Sequence, residues 1–244
     1  MHLVYNQLPD DLKKSIQNLE AMHVYQSTHS KRKLMSLPRV TEKIKEVIHP
    51  LVRIHPENNK IYPDKWLGVF CGAYMGTDKT VHELVEDLGE ALALNKIGLV
   101  YGGGGFGVMG TIADAVLKNN GWVMGVVPKN LLETEMAHSS LDELVIVESM
   151  HERKKTMYER ADAFCALPGG LGTLEEIFEA TTWTKLKLQD KYKKVMLLDN
   201  NGFWLSFVDL LDDITSSGFI KPEDREIISR FDSVSEIISN FKNS

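Results

Sequence analysis

The chain has 244 residues, a formal net charge of −6, 43% hydrophobic and 25% charged residues, the balance of an ordinary globular protein with enough length for one large α/β core. The negative charge argues against a dedicated nucleic-acid binder, whose affinity comes from clustered Lys and Arg, and no run approaches the ~18 apolar residues that span a bilayer. Met1 to Asp10 lack the basic-then-apolar pattern of a secretory signal, and Cys71 and Cys165 each sit inside an apolar run, so a cytoplasmic protein with reduced, buried thiols is expected.

Residues 1–65 read as a helical extension. Leu12, Ile16 and Leu19 recur at helical spacing after Pro9-Asp10, and Val40, Ile44, Val47, Ile48 and Leu51 do so after Pro38, with a polar, basic loop from Ser27 to Lys33 between them. Residues 66–244 form a second unit in which short apolar runs alternate with helix-like segments, the pattern of βαβ units. Its predicted strands are Leu67 to Cys71, Gly98 to Tyr101, Trp122 to Val127, Leu144 to Val147, Ala163 to Leu167 and Val195 to Leu198. In the first predicted helix Asp78 serves as N-cap, Leu84, Val85, Leu88 and Leu92 form an apolar stripe, and Gly98 marks the stop. Phe203 to Ser244 reads as helical, broken at Gly218 and Pro222. The fold class is α/β, doubly wound, with a mainly parallel sheet.

Three segments that follow predicted strands carry the chemistry. Pro168-Gly169-Gly170-Leu171-Gly172-Thr173-Leu174-Glu175-Glu176 opens a helix, and a helix start offers unpaired N–H groups and a positive dipole end to an anion such as phosphate. Thr173-x-x-Glu176 also spells a capping box, a structural role for the same two residues, although a carboxylate at a helix start would equally suit a base or a cation stabiliser. The second segment, Tyr101 to Gly107, formally contains GxGxxG at Gly102, Gly104 and Gly107. A dinucleotide fingerprint belongs after the first strand and needs an acidic residue ending the next one, whereas the strand ending at Val127 runs into Pro128-Lys129. The loop reads instead as a close approach for a ligand, or as a tight turn. The third segment, Met150 to Met157, opens a helix on which Arg153 and Lys154 point about 100° apart, so one of them at most enters a crevice fully. His138 and His151 lack partners at metal-ligand spacing, and no lysine is arranged for a pyridoxal Schiff base. Neither metal nor cofactor is expected.

Met150-His151-Glu152-Arg153-Lys154 followed by Pro168 to Glu176 resembles the LOG family, the cytokinin riboside 5′-monophosphate phosphoribohydrolases, many of which carry an older lysine decarboxylase label. The resemblance runs from Trp66 to Trp204 through Val69-Phe70-Cys71-Gly72, Leu99 to Gly104 and Val108-Met109-Gly110. It implies a Rossmann-like fold, a homodimer, and hydrolysis of the N-glycosidic bond of a nucleoside 5′-monophosphate, AMP or an N6-modified AMP, to free base and ribose 5-phosphate. It places the catalytic pair on Arg153 and Glu176. It assigns nucleotide contacts to Lys154, Gly103, Gly104, Glu135 and Met150, and further ones to Gly169, Gly170, Gly172, Thr173, Glu175 and Thr182. The chain departs from the family at Ala73-Tyr74-Met75, where serines are common, at Lys185-Leu186-Lys187 and Tyr192-Lys193-Lys194, and in its long N-terminal extension. These departures bear on base preference and leave the phosphate and ribose machinery in place. The alternative class is a non-catalytic nucleotide-binding or regulatory module, which needs the glycine loops but no carboxylate beside the sugar.

Overall fold

Short runs of Val, Ile, Leu, Phe and Ala that leave almost no residue polar can be satisfied only as strands covered on both faces, and such runs build the centre of the unit Pro63–Ser244. The computed structural model describes residues 60, 62–131, 137–188, 191–199 and 201–243. The expected helices at Leu12 to Leu19 and Val40 to Leu51 lie outside the described residues, as does Glu135.

Within Pro63–Ser244 the strands are β1 (Lys65–Phe70), β2 (Ile97–Tyr101), β3 (Val123–Pro128), β4 (Glu143–Val147), β5 (Ala163–Ala166), β6 (Val195–Leu198) and β7 (Ile228–Phe231). They form one sheet in the order β4-β3-β2-β1-β5-β6-β7, and every pairing is parallel. The chain winds outward from β1 to β4 and then returns to the other side of β1 with β5. Winding therefore reverses between the carboxyl ends of β1 and β5, where open sheets of this kind leave a crevice for a ligand.

The helices are α1 (Thr80–Leu94), α2 (Gly107–Lys118), α3 (Met150–Arg160), α4 (Leu171–Lys185), α5 (Leu205–Ser216), α6 (Pro222–Arg225) and α7 (Val234–Lys242). On one face the predicted stripe Leu84, Val85, Leu88 and Leu92 of α1 joins Ile112 and Val116 of α2, Ile237 and Phe241 of α7, and Leu67, Leu99, Val123 and Met196 of the sheet in a single buried cluster. Burying one such side chain stabilises the fold by about 1.5–3 kcal/mol. The opposite face is aromatic. Phe70 stacks on Phe164 with centroids 5.0 Å apart, Tyr158 of α3 stands edge-on to both rings, and Trp183 of α4 lies 4.7 Å from Tyr158.

The sheet differs from the sequence expectation in one strand. β7 lies in the stretch expected to be helical apart from breaks at Gly218 and Pro222; those breaks stand, since Gly218 has φ 80 after α5 and Pro222 opens α6. Four residues at a sheet edge, partly exposed at Ser229, Arg230 and Phe231, leave little alternation to read, and the partner strand is distant in sequence. Gly98 does not stop α1 either. Lys96, at φ 57, reverses the chain, while Gly98 sits inside β2 beneath Trp66, whose indole would lie 2.5 Å from an added Cβ. Asp78 caps from just outside the helix, its Oδ1 accepting the Thr80 N–H at 2.9 Å, with Lys79 at the N-cap position itself.

Candidate active site

The crevice is built from loops that only glycine permits. Gly72 follows β1 and Gly169 follows β5, and a Cβ on Gly169 would stand 2.1 Å from Thr173 Oγ1 and 3.0 Å from the Gly72 nitrogen. The two loops therefore close on each other at the point where winding reverses. Immediately beyond, α4 begins at Leu171 with Gly170 as its N-cap. The first backbone bond of the helix runs from the Leu174 N–H to the Gly170 carbonyl at 3.1 Å, so the N–H groups of Leu171, Gly172 and Thr173 have no acceptor within the helix.

This start corrects the capping-box expectation. Thr173 lies in the third helical position rather than at the N-cap, and Gly170 has no side chain with which to cap. Among the described residues the buried Thr173 hydroxyl has no hydrogen-bond partner, a state that costs about 1–3 kcal/mol unless something arrives to satisfy it. An added Cβ at Gly170 or Gly172 would meet nothing within 4 Å. Related Ser–Glu caps, in which the Glu accepts from the residue before the N-cap, stand at α3, where Ser149 Oγ accepts the Glu152 N–H at 3.2 Å and Glu152 Oε2 accepts the Glu148 N–H at 2.8 Å, and at α7 between Ser233 and Glu236.

Arg153 projects from the first turn of α3 into the same region and is only 6% exposed. Its Nη2 donates to the Gly102 carbonyl at 2.9 Å, and its Nη1 lies 3.6 Å from Met150 Sδ. A Cβ on Gly102 would stand 2.0 Å from that Nη2, so the second glycine loop is shaped around the guanidinium. The loop is braced by the Tyr101 hydroxyl, which donates to the Gly104 carbonyl at 3.1 Å. Gly103 takes φ 80 with its α-carbon against Val127. The His138 N–H donates to the Gly103 carbonyl at 3.0 Å, and Gly104 bridges to Ala137. The chain just after Glu135 thus returns to this loop.

Glu176 is half-buried and stands one turn beyond Thr173 on α4, on the same side of the helix. The Cys71 thiol, at the carboxyl end of β1, registers both charged groups. Burial pushes it far above the ordinary thiol range, the Glu176 carboxylate raises it further with a smaller contribution from Cys165, and Arg153 opposes the shift. Cys71 is accordingly a neutral thiol on the crevice floor.

Of the other residues that the resemblance picked out, Lys154 and Glu175 meet each other. The Lys154 ammonium is buried, lies 2.5 Å from Glu175 Oε1 and also pairs with Glu179 Oε2. Burial alone would lower its pKa, but the hydrogen bonds to Glu175 and Glu179 outweigh that cost and hold it above the usual lysine range. Met150 is exposed at the first position of α3. Thr182 is exposed on α4, nine residues past Thr173 and hence about 13 Å farther along the axis. It does not reach the helix start within one chain. Sequence reasoning placed the Tyr101–Gly107 loop here but missed Tyr158 and Glu179 as parts of this region. Glu175 and Glu179 share a helix face at i, i+4, a readable spacing, but their partner on α3 is brought to them only by the fold.

A family model described as possible lysine decarboxylase matches residues 109–241. The chain is 39% identical over 174 residues to the cytokinin riboside 5′-monophosphate phosphoribohydrolase LOG3 of Arabidopsis thaliana, covering 71% of this chain and 80% of that protein. It is 43% identical over 162 residues to the cytokinin riboside 5′-monophosphate phosphoribohydrolase of Rhodococcoides fascians, covering 66% and 81%. Among solved structures, the molybdenum cofactor binding protein of Rippkaea orientalis superposes with TM-score 0.55 at 22% identity over 73% of this chain and 96% of that one. The molybdenum cofactor carrier protein of Chlamydomonas reinhardtii does so with TM-score 0.54 at 20% identity over the same shares, 73% and 96%. These structural likenesses concern the α/β fold.

Proposed function

The chain belongs to the cytokinin riboside 5′-monophosphate phosphoribohydrolase family, and from that premise we propose that it hydrolyses the N-glycosidic bond of AMP or an N6-modified AMP. Water adds to the anomeric carbon, the C1′–N bond breaks, the base leaves with a proton, and ribose 5-phosphate remains. The observation that carries this reading is the start of α4. Two glycines there leave open space where side chains would stand, three N–H groups lack helical acceptors, and a buried threonine hydroxyl has no partner among the described residues. A phosphate dianion satisfies all of these at once.

With the phosphate held there, the ribose extends toward Glu176. Cleavage passes through an oxocarbenium-like state, which the Glu176 carboxylate stabilises while it orients the attacking water. Arg153, anchored to the Gly102 carbonyl, holds a ribose or phosphate oxygen or assists the departing base. The base meets the exposed apolar rim at the carboxyl ends of the strands, including Tyr74, Phe106 and Leu171. Decarboxylation, the chemistry of the older label, is poorly served, because both buried lysines of this unit are committed: Lys154 to two carboxylates, and Lys193 to the Tyr158 carbonyl.

The enzyme is further read as a cytoplasmic homodimer. Leu171, Phe178 and Thr182 of α4 and Leu186, its C-cap, follow one another at helical spacing and are all exposed, and Phe178 contacts Phe207 of α5. A second copy packed on this face would cover the apolar stripe and bring Thr182 toward the partner's crevice. No helix among the described residues is long and apolar enough to cross a membrane. Glu176→Gln tests the assignment: it keeps the side chain's shape, and base release from AMP is expected to fall about 100- to 1000-fold, as for loss of a principal charge-stabilising group, with circular dichroism unchanged. Turnover within threefold of wild type would remove Glu176 from the reaction.

A further inference from the structure

The resemblance makes Lys154 a ligand for the nucleotide; its surroundings make it something else. Its ammonium is sequestered between α3 and α4, against Glu175 at 2.5 Å and against Glu179. One cation and two carboxylates leave that cluster with a net charge of −1, which repels a phosphate. Glu179 is itself largely covered, its side chain 17% exposed. The Tyr158 hydroxyl, one turn beyond Lys154 on α3, reaches Glu179 Oε2 at 3.5 Å and the carbonyl of Glu176 itself at 3.4 Å. One face of α3 is therefore fastened to α4 at Glu175, Glu176 and Glu179.

We propose that Lys154 and Glu179 are positioning residues, an ionic bolt that sets the rotation of α3 against α4 so that Arg153 and Glu176 converge on the substrate. This inference rests on the proposed roles of Arg153 and Glu176. Each helix divides the work between consecutive residues about 100° apart: Lys154 makes the bolt and Arg153 the crevice on α3, while Glu175 makes the bolt and Glu176 the crevice on α4. A carboxylate roughly 6 Å from a helix axis moves about 1 Å for each 10° of rotation, and a misplacement of about 1 Å can lower a rate by about a hundredfold. The bolt thus acts on the chemical step without touching the substrate.

The test compares Glu179→Gln, Lys154→Met and the double variant with wild type for AMP hydrolysis, ribose 5-phosphate affinity and hydrogen exchange over Leu171 to Glu176. The bolt predicts kcat lowered about 10- to 100-fold in either single variant, KM and ribose 5-phosphate Kd within threefold, faster exchange at the start of α4, and no further loss in the double variant. If Lys154→Met instead weakens ribose 5-phosphate binding tenfold or more while Glu179→Gln behaves as wild type, Lys154 is a ligand and the proposal is overturned. Should Lys154→Met fail to fold, Glu179→Gln carries the test, since it keeps the side-chain shape and the Lys154–Glu175 pair. A wild type that releases no base from any nucleotide overturns the proposed reaction, not the bolt, which the exchange measurement then decides: unchanged exchange in Glu179→Gln rejects it.

Discussion

Replacing Gly172 by alanine separates what the fold needs from what the ligand needs. Gly172 is the second residue of α4, its φ is not positive, and an added Cβ would meet nothing within 4 Å. Alanine there gains up to about 1 kcal/mol of helix propensity and loses less chain entropy on folding, so stability should rise by about 0.4–1 kcal/mol. For a unit of this size that is an increase of about 1–4 °C in Tm. The same methyl group stands where, in the proposed complex, the phosphate approaches the backbone. Displacing it from one charge-assisted N–H bond forfeits about 1.5–3 kcal/mol, a loss of about 10- to 150-fold in kcat/KM. Thermal unfolding and base release from AMP, measured on the same preparation, read both quantities. A variant that is more stable and catalytically normal would refute the phosphate site at α4, and one destabilised by more than about 1 kcal/mol would refute the open space around Gly172.

Gly102→Ala presses on the guanidinium end of the Arg153 side chain rather than on backbone, so Tm should stay within about 3 °C while base release falls at least tenfold; a normal rate would detach the guanidinium's position from catalysis. Because burial, with Glu176 adding to it, keeps Cys71 above the ordinary thiol range, its thiolate is scarce at neutral pH, and iodoacetamide at pH 7 to 8 should leave activity intact over an hour. Rapid inactivation that tracks modification of Cys71 would contradict that. Phe178→Glu places a charge in the exposed stripe of α4 and should shift the protein toward monomer in light scattering while lowering turnover. An unchanged dimer would put the interface elsewhere.

Much of this was legible because the strands are buried on both faces and so read as uninterrupted apolar runs. The Val195–Leu198 strand was predicted at its observed bounds, and the other five predicted strands fall within two residues of theirs at each end. β7 was hidden because an edge strand of four residues, partly exposed, carries neither a continuous apolar run nor a clean alternation. Spacing placed a capping box on Thr173 and Glu176, but Gly170 begins α4 earlier and leaves the Thr173 hydroxyl buried inside the helix start. Glycine spacing likewise showed that backbone had to come close to something. It did not show that Gly102 yields to Arg153, Gly169 to Thr173 and Gly98 to Trp66, because those neighbours arrive from other elements. Lys154 is the clearest case: its motif context suggested a ligand, whereas the fold surrounds it with Glu175 and Glu179.

Incubating the purified full chain with AMP, an N6-substituted AMP, adenosine, ADP and ATP, and quantifying free base and ribose 5-phosphate, decides whether the chain cleaves the N-glycosidic bond of monophosphates. Hydrolysis at the proposed site yields both products in equal amounts from the monophosphates and none from adenosine, which lacks the phosphate that the start of α4 is proposed to hold. Release of nucleoside and inorganic phosphate, or of no base from any of the five, would contradict it.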